Sequence, residues 1–347
     1  MRSTIGWDVG GAHLKAARAE SGRVVDVIQL PCPLWLGQDR LSEALAAGRA
    51  RLGDADIHAV TMTGELADVF PSRAAGVAAI VGLMSRALAP AALRIYGGRA
   101  GFLAPEATEG HADDIASANW HASAALVARS VPDALFADMG STTTDLIPIV
   151  HGKMAVRGYS DAERLSCGEL VYTGLTRSFV MALCSQVPFG GVWTPLACEY
   201  FASAADVYRV LGDLPEDADQ LPTSDGREKT VEASCARLAR MVGRDAADAD
   251  AAAWRGLAAW VAEQQLRRIA DAAMLVLSRA ALAPSAPVVG AGTGRHVTAR
   301  LAARLGRPYR DFSALSGLEA GPADWLGHCA PAAALALLAQ DGGLLVR

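Results

Sequence analysis

The stretch 135-LFADMGSTTTDLIPI-149 decides the fold: an apolar run meets an acid, passes through Gly140 and four consecutive hydroxyl residues, meets a second acid, and turns apolar again. Strand formers on both sides of a glycine and hydroxyl connection predict two strands joined by a tight turn. The same pattern occurs earlier. The segment 5-IGWDVGGAHLKAARAESGRV-24 lies on 135-LFADMGSTTTDLIPIVHGKM-154 at a constant offset of 130, so that Asp8 falls on Asp138, Gly10 on Gly140, Gly11 on Ser141, Lys15 on Asp145 and Gly22 on Gly152, with no gap. Each copy reads strand, acid-glycine turn, strand, glycine-basic turn, strand, and the repeat predicts two related α/β halves facing a shared cleft.

Glycine lets the backbone approach a ligand closely, and successive N–H groups in such a turn form an anion nest. A carboxylate at the head of each turn is out of place beside bare phosphate oxygens, whereas a Mg²⁺ bridging carboxylate and phosphate accounts for it. The alternative reading is that Asp8 and Asp138 only cap their turns. The duplication with both acids in phase favours a paired phosphate and metal site, with Mg²⁺ as the expected cofactor.

Composition bounds the rest. The 347 residues, 52% hydrophobic, exceed the usual single-domain size, and a formal charge of -5 from 32 basic and 37 acidic residues offers no field for nucleic acid or an anionic membrane. The longest apolar stretches, such as 331-PAAALALLA-339, are too short to span a bilayer, and the expectation is a cytoplasmic chain whose apolar content suits a homo-oligomer. Six cysteines without a CxxC and seven histidines without HExxH argue against a disulfide frame or a zinc centre.

Periodicity predicts strands near 4–9, 14–19, 23–30, 57–63 and 93–96, with helices over about 39–52, 73–89 and 113–129, in a first domain spanning 1–131. A second domain, 132–347, begins at the repeat, carries a helical and irregular insertion at about 160–250 and a long helix near 254–281, and ends in a helix expected to pack back on the first domain. In 288-VVGAGTGRHVTARLAARLG-306 a strand runs through Gly290, Gly292 and Gly294 into a helix; the spacing fits no dinucleotide fingerprint but suits a third ligand-facing loop, with Gly290 and Gly292 near phosphate.

Paired phosphate turns followed by a late strand-glycine-helix unit resemble the duplicated ribonuclease H-like fold of the actin, sugar kinase and Hsp70 superfamily, two domains around a central cleft. The segments DVGGAHLKAA at 8–17, LPCPLW at 30–35, DMGSTTTDLIPI at 138–149, CGELVYTG at 167–174, VPFGG at 187–191, TSDGREK at 223–229 and VVGAG at 288–292 together resemble the tetrahydromethanopterin-linked C1-transfer pathway proteins, relatives of the hydantoinase A/oxoprolinase group. The resemblance implies methylofuran biosynthesis. An aminomethyl-furanylmethyl diphosphate would be joined to a phenol, diphosphate would leave, and ATP is not expected. The partners implied are these two small molecules, with the phenol open between γ-glutamyltyramine, tyrosine and another tyramine derivative.

Carried over motif by motif, Asp8 and Asp138 would hold Mg²⁺, while Gly10, Gly11, Gly140, Ser141, Thr142 and Thr143 would cradle diphosphate. Lys15 is the candidate cation for the leaving group, or else a solvated lysine. A phenol with an ordinary pKa near 10 benefits from a base, for which Asp145 and Glu169 are candidates, Glu169 reading equally as a helix-surface residue. Tyr172 and Thr173 share that ambiguity. Arg227, in the 223–229 loop, suits a mobile element closing over an anion or a solvated turn; Asn119 and Trp120 lie on a helix near the domain boundary, Asn119 facing substrate and Trp120 either walling it or packing in the core; His13 sits inside the first phosphate motif. Two further readings stay open: an ATP-dependent kinase or oxoprolinase-like ATPase, and a non-catalytic nucleotide-sensing partner.

Overall fold

The computed structural model describes residues 3–215, 217–318, 323–340 and 345–346. The first half opens with a meander of β1 (Ser3–Val9), β2 (His13–Glu20) and β3 (Arg23–Pro31), followed by α1 (Asp39–Leu52), β4 (Ile57–Met62), α2 (Arg73–Leu88), β5 (Ala92–Tyr96), β6 (Phe102–Leu103), α3 (Ala112–Ile115) and α4 (Asn119–Ser130). The second half repeats the meander as β7 (Ala134–Met139), β8 (Thr144–Val150) and β9 (Lys153–Met154). Next come α5 (Asp161–Cys167), β10 (Leu170–Val171), α6 (Val180–Leu183), β11 (Gln186–Phe189), β12 (Val192–Pro195), α7 (Ala204–Leu211) and α8 (Val231–Met241). The long α9 (Ala251–Leu277) leads to β13 (Val288–Ala291), α10 (Arg295–Arg304), β14 (Tyr309–Asp311), α11 (Ala323–Leu326), α12 (Ala330–Gln340) and β15 (Leu345–Val346).

The two main sheets share one topology. In the first, β3-β2-β1 run antiparallel and β1 continues in parallel to β4 and β5; in the second, β9-β8-β7 run antiparallel and β7 continues in parallel to β13 and β14. Register repeats as well: Asp8 faces Lys15 across the first hairpin and Asp138 faces Asp145 across the second. Even the next turns match, with Ser21 and Gly22 at φ 51° and 77° and His151 and Gly152 at φ 52° and 71°, the left-handed pairs that a two-residue hairpin turn requires. This is the duplicated ribonuclease H-like fold of the actin and sugar kinase type.

Alternation along the strands sets the layering. Ile5, Trp7 and Val9 pack outward with Leu41 and Leu45 of α1 and Val77 and Ile80 of α2, while Leu135, Ala137 and Met139 pack outward with α7 to α10. The inward faces, including Ala17, Ala59, Phe136 and Ile147, share one core with α4 and α12, which lie between the sheets. The alanine-rich α12 is therefore an interior helix, and no helix among the described residues is long and apolar enough to cross a membrane. Gly6 permits the contact, since a Cβ there would lie 2.1 Å from the Ala332 carbonyl oxygen.

Two local expectations are corrected. The helix expected over 113–129 is broken at Ser117, whose backbone is left-handed (φ 53°) and whose hydroxyl joins Glu65, Arg73 and Asp161. The insertion is less irregular than its composition suggests: β11 and β12 form a separate hairpin about Gly190 and Gly191, both at positive φ.

Gly6→Ala should destabilise the fold by about 2–3 kcal/mol through overpacking against α12. Gly11→Ala, whose added Cβ meets nothing within 4 Å, should leave the denaturant midpoint nearly unchanged. Equal midpoints for the two variants would contradict the layer assignment.

Candidate functional site

The turn after β1 and the turn after β7 open onto one cavity of about 430 Å³ between the halves. Each is closed by its own glycine amide: Gly10 donates to the His13 carbonyl at 3.0 Å and Gly140 to the Thr143 carbonyl at 2.9 Å. Those two amides are spent on shaping the turns. Among the described residues, the amides of Gly11, Ala12, Ser141, Thr142 and Thr143 have no protein acceptor, and all five residues line the cavity. The cradle is thus built from the residues following each glycine.

The acids occupy the inward phase of β1 and β7, at the strand ends where the shared core gives way to the cleft. Asp8 lines the cavity with Asn119, at the start of α4, and its Oδ1 is buried without a partner. Burial pushes the Asp8 carboxyl up to about 6 against the pull of Lys15 and Asn119. Asp138 lies beneath the cavity wall, against Gly292, and burial with the nearby Asp145 and Asp8 charges pushes it up to about 7. Two buried carboxylates at matching strand ends, one with an unpartnered oxygen, are the donor set that Mg²⁺ takes together with phosphate oxygens. Among the described residues no third His, Cys, Asp or Glu joins them.

Lys15 and Tyr172 line the cavity with the two turns. Asp145 does so too, with Oδ1 held at 2.7 Å by the buried Arg164, whose guanidinium stacks 4.1 Å over the ring of Trp120. Burial raises the Asp145 carboxyl while Arg164 opposes the rise. His13 is buried at the cavity with Nε2 unpartnered, and burial, Lys15, Arg177 and Lys229 push it down to about 3, so the ring is neutral.

Five candidates sit elsewhere. Glu169 is fully buried away from the cavity, accepting from the amides of Arg157 and Gly158 at 2.7 and 3.1 Å and from Arg279 at 2.7 Å; it is neither a base at the cleft nor a helix-surface residue. The signal was Gly168, which ends α5 in a left-handed conformation and turns Glu169 inward. Thr173 is buried against Ser178 and Gln265. Arg227 does not reach the cavity, because its loop is pinned: its amide closes on Asp225, which the buried Arg237 holds at 3.1 Å, and Ser224 bonds the Phe201 carbonyl. Gly290 and Gly292 are packing glycines. A Cβ on Gly290 would strike Thr298 and Tyr309, and one on Gly292 would lie 2.2 Å from the Met139 carbonyl oxygen, while the Gly292 and Gly294 amides bond Gly327 and Met139.

Spacing gave no sign of several cavity residues: Arg164, Arg177, Asp161 and Ser117. Trp35, inside the LPCPLW segment, and Trp120 supply aromatic walls. A second cavity of about 300 Å³ lies beside Thr293, Arg295 and His296 at the start of α10.

Comparison with known proteins gives a consistent picture. The model of the hydantoinase/oxoprolinase family matches residues 56–323. A Methanocaldococcus jannaschii protein named (4-{4-[2-(gamma-L-glutamylamino)ethyl]phenoxymethyl}furan-2-yl)methanamine synthase is 33% identical over 242 residues, 70% of this chain and 72% of its own. A Methanococcus vannielii protein of the same name is 37% identical over 111 residues, 32% of this chain and 50% of its own. Among solved structures, a nucleotide-free acetone carboxylase aligns with TM-score 0.58 at 12% identity, over 96% of this chain and 70% of that one. A ROK family glucokinase from Streptomyces griseus aligns with TM-score 0.50 at 16% identity, over 98% and 100%. These two likenesses concern the fold alone.

The raised carboxyls have a consequence for stability. Asp138 at about 7 in the fold lies above its ordinary value of 3.8, so the folded chain holds this proton more tightly than the unfolded chain. Its contribution is full below pH 3.8 and is lost as pH rises through about 7. In ligand-free protein at pH 8, Asp138→Asn should therefore raise the melting temperature, and the difference from wild type should vanish near pH 4. A lower melting temperature for the variant at pH 8 would contradict an uncompensated buried carboxylate.

Proposed function

The chain belongs to the hydantoinase/oxoprolinase family, and from that premise we propose that it is an enzyme of methylofuran biosynthesis that forms an aryl furfuryl ether, displacing diphosphate from an aminomethyl-furanylmethyl diphosphate with the phenol of a tyramine or tyrosine derivative. The observation that carries the reading is the pair of acid-glycine turns, matched residue for residue, on opposite walls of one cavity. The name of the relatives supports it chemically, since the phenoxymethyl-furan it describes contains the ether that such a displacement makes.

In this reading the unpartnered amides of Gly11, Ala12, Ser141, Thr142 and Thr143 receive diphosphate oxygens, and Lys15 balances their charge. Asp8 and Asp138 would hold Mg²⁺, which when bound would offset the charge that develops on the departing diphosphate. The furfuryl C–O bond breaks with its electron pair going to diphosphate, and the phenol oxygen bonds the same carbon. Asp145 takes the phenol proton, one of its oxygens being held by Arg164. The rings of Trp35, Trp120 and Tyr172 wall the furan and phenol, and a cavity of about 430 Å³ suits reactants of this size.

An ATP-dependent kinase or ATPase is the second reading, favoured by the cavity beside Thr293, Arg295 and His296 at the 290–294 turn. One assay separates the two: protein, Mg²⁺, the furfuryl diphosphate and a panel of tyramine and tyrosine derivatives, with and without ATP. Ether mass and diphosphate release without ATP are expected, and Asp138→Asn should lower the rate at least about a hundredfold while staying folded. ADP appearing on ATP addition, with no ether in its absence, would overturn the proposal.

A further inference from the structure

Arg177 is a cavity residue that no motif announces, and backbone bonds fix its place. The segment that carries it is clamped to the second turn: Leu175 donates its amide to the Gly140 carbonyl at 2.9 Å, and Thr176 and Arg177 donate theirs to the Ser141 carbonyl at 3.2 and 2.9 Å. Gly174 allows this approach, because a Cβ there would lie 2.4 Å from the Thr142 nitrogen. The first half has a counterpart, in which Cys32 and Leu34 donate to the carbonyls of Ala12 and Gly11 at 2.9 and 3.0 Å. Each turn thus carries a strap, and the residues Trp35 and Arg177 at the strap ends meet across the cavity, the guanidinium carbon 5.0 Å from the ring centroid. Both are exposed on the cavity side. Lys15 and Arg177 both act on His13, so the two cations share one neighbourhood although they come from opposite halves.

We infer that Arg177 selects diphosphate over monophosphate at this site, and that Trp35 is the shelf on which its guanidinium rests until a second phosphate arrives. The inference rests on the diphosphate reading and deepens it. The turn amides and Lys15 suffice for one phosphoryl group. A second group, further from the turns, needs a donor from above the cradle, and a planar guanidinium meets it with two parallel hydrogen bonds. An exposed cation–π contact is weaker than a bidentate guanidinium–phosphate pair, so diphosphate draws Arg177 off the ring whereas monophosphate leaves it in place.

The test is calorimetric titration of the full chain with inorganic diphosphate and, separately, inorganic phosphate at fixed Mg²⁺, paired with tryptophan emission, for wild type, Arg177→Ala, Arg177→Lys and Trp35→Phe. Arg177→Ala should weaken diphosphate by about 10- to 100-fold and phosphate by less than about threefold, with Arg177→Lys in between. Diphosphate should change the emission of wild type more than that of Trp35→Phe, in which Trp120 is the remaining indole at the cavity, and an equal change in both would overturn the shelf. Equal losses for both anions, or no loss for diphosphate, overturn the inference and leave the diphosphate reading standing. Failure of wild type to bind diphosphate overturns both.

Discussion

Asp8 and Asp138 point into the space between two sheets, in the strand phase whose other members build the shared core. Among the described residues neither has an ion pair within 4 Å, and burial raises both carboxyls toward neutrality. A fold that keeps two such groups at equivalent strand ends carries a standing electrostatic penalty, which a bound cation and its anion would remove. The glycine turns, the free amides and the straps surround these two acids. Gly10 and Gly140 shape the turns, and their neighbours are left to bind.

The scaffold holds the acids in place by closeness rather than by charge. Helix α12 presses its backbone onto β1 at Gly6, and Gly292 brings the late glycine turn against Met139 and Asp138, so both strand ends are fixed by backbone contacts that no side chain could enter. Around the cleft the halves are also tied by polar groups: Arg73 of α2 reaches Asp161 at the start of α5 at 2.8 Å, with Ser117 and the buried Glu65 in the same cluster. That cluster explains why the chain breaks helix at Ser117, a feature of tertiary origin.

The fold was legible in the sequence because the repeat keeps one spacing through the acid, the glycine and the hairpin turn, and such spacing survives in register and in backbone angles. The candidates inside the two turns lie at the cleft for the same reason, with Asp138 just beneath its wall. Outside the repeat, residue type misled. Glu169 and Arg227 looked like a base and a clamp, yet Glu169 is consumed by Arg279, 110 residues away, and the Arg227 loop is pinned through Asp225 by the buried Arg237, contacts that no local pattern reveals. Gly290 and Gly292 read as a phosphate loop, but glycine serves close packing as readily as ligand approach. Arg164 and Arg177 were invisible because their roles arise from stacking on Trp120 and Trp35, contacts made between elements far apart along the chain.

The central claim is that the two turns act as one site on a single ligand. A double-mutant cycle on Mg²⁺-dependent binding of inorganic diphosphate, with Asp8→Asn, Asp138→Asn and the double variant, tests this most directly. One diphosphate per chain, with the double variant hardly weaker than either single variant, is the predicted result. Additive losses, or full binding retained in one of the single variants, would mean that the turns work independently and would contradict the account.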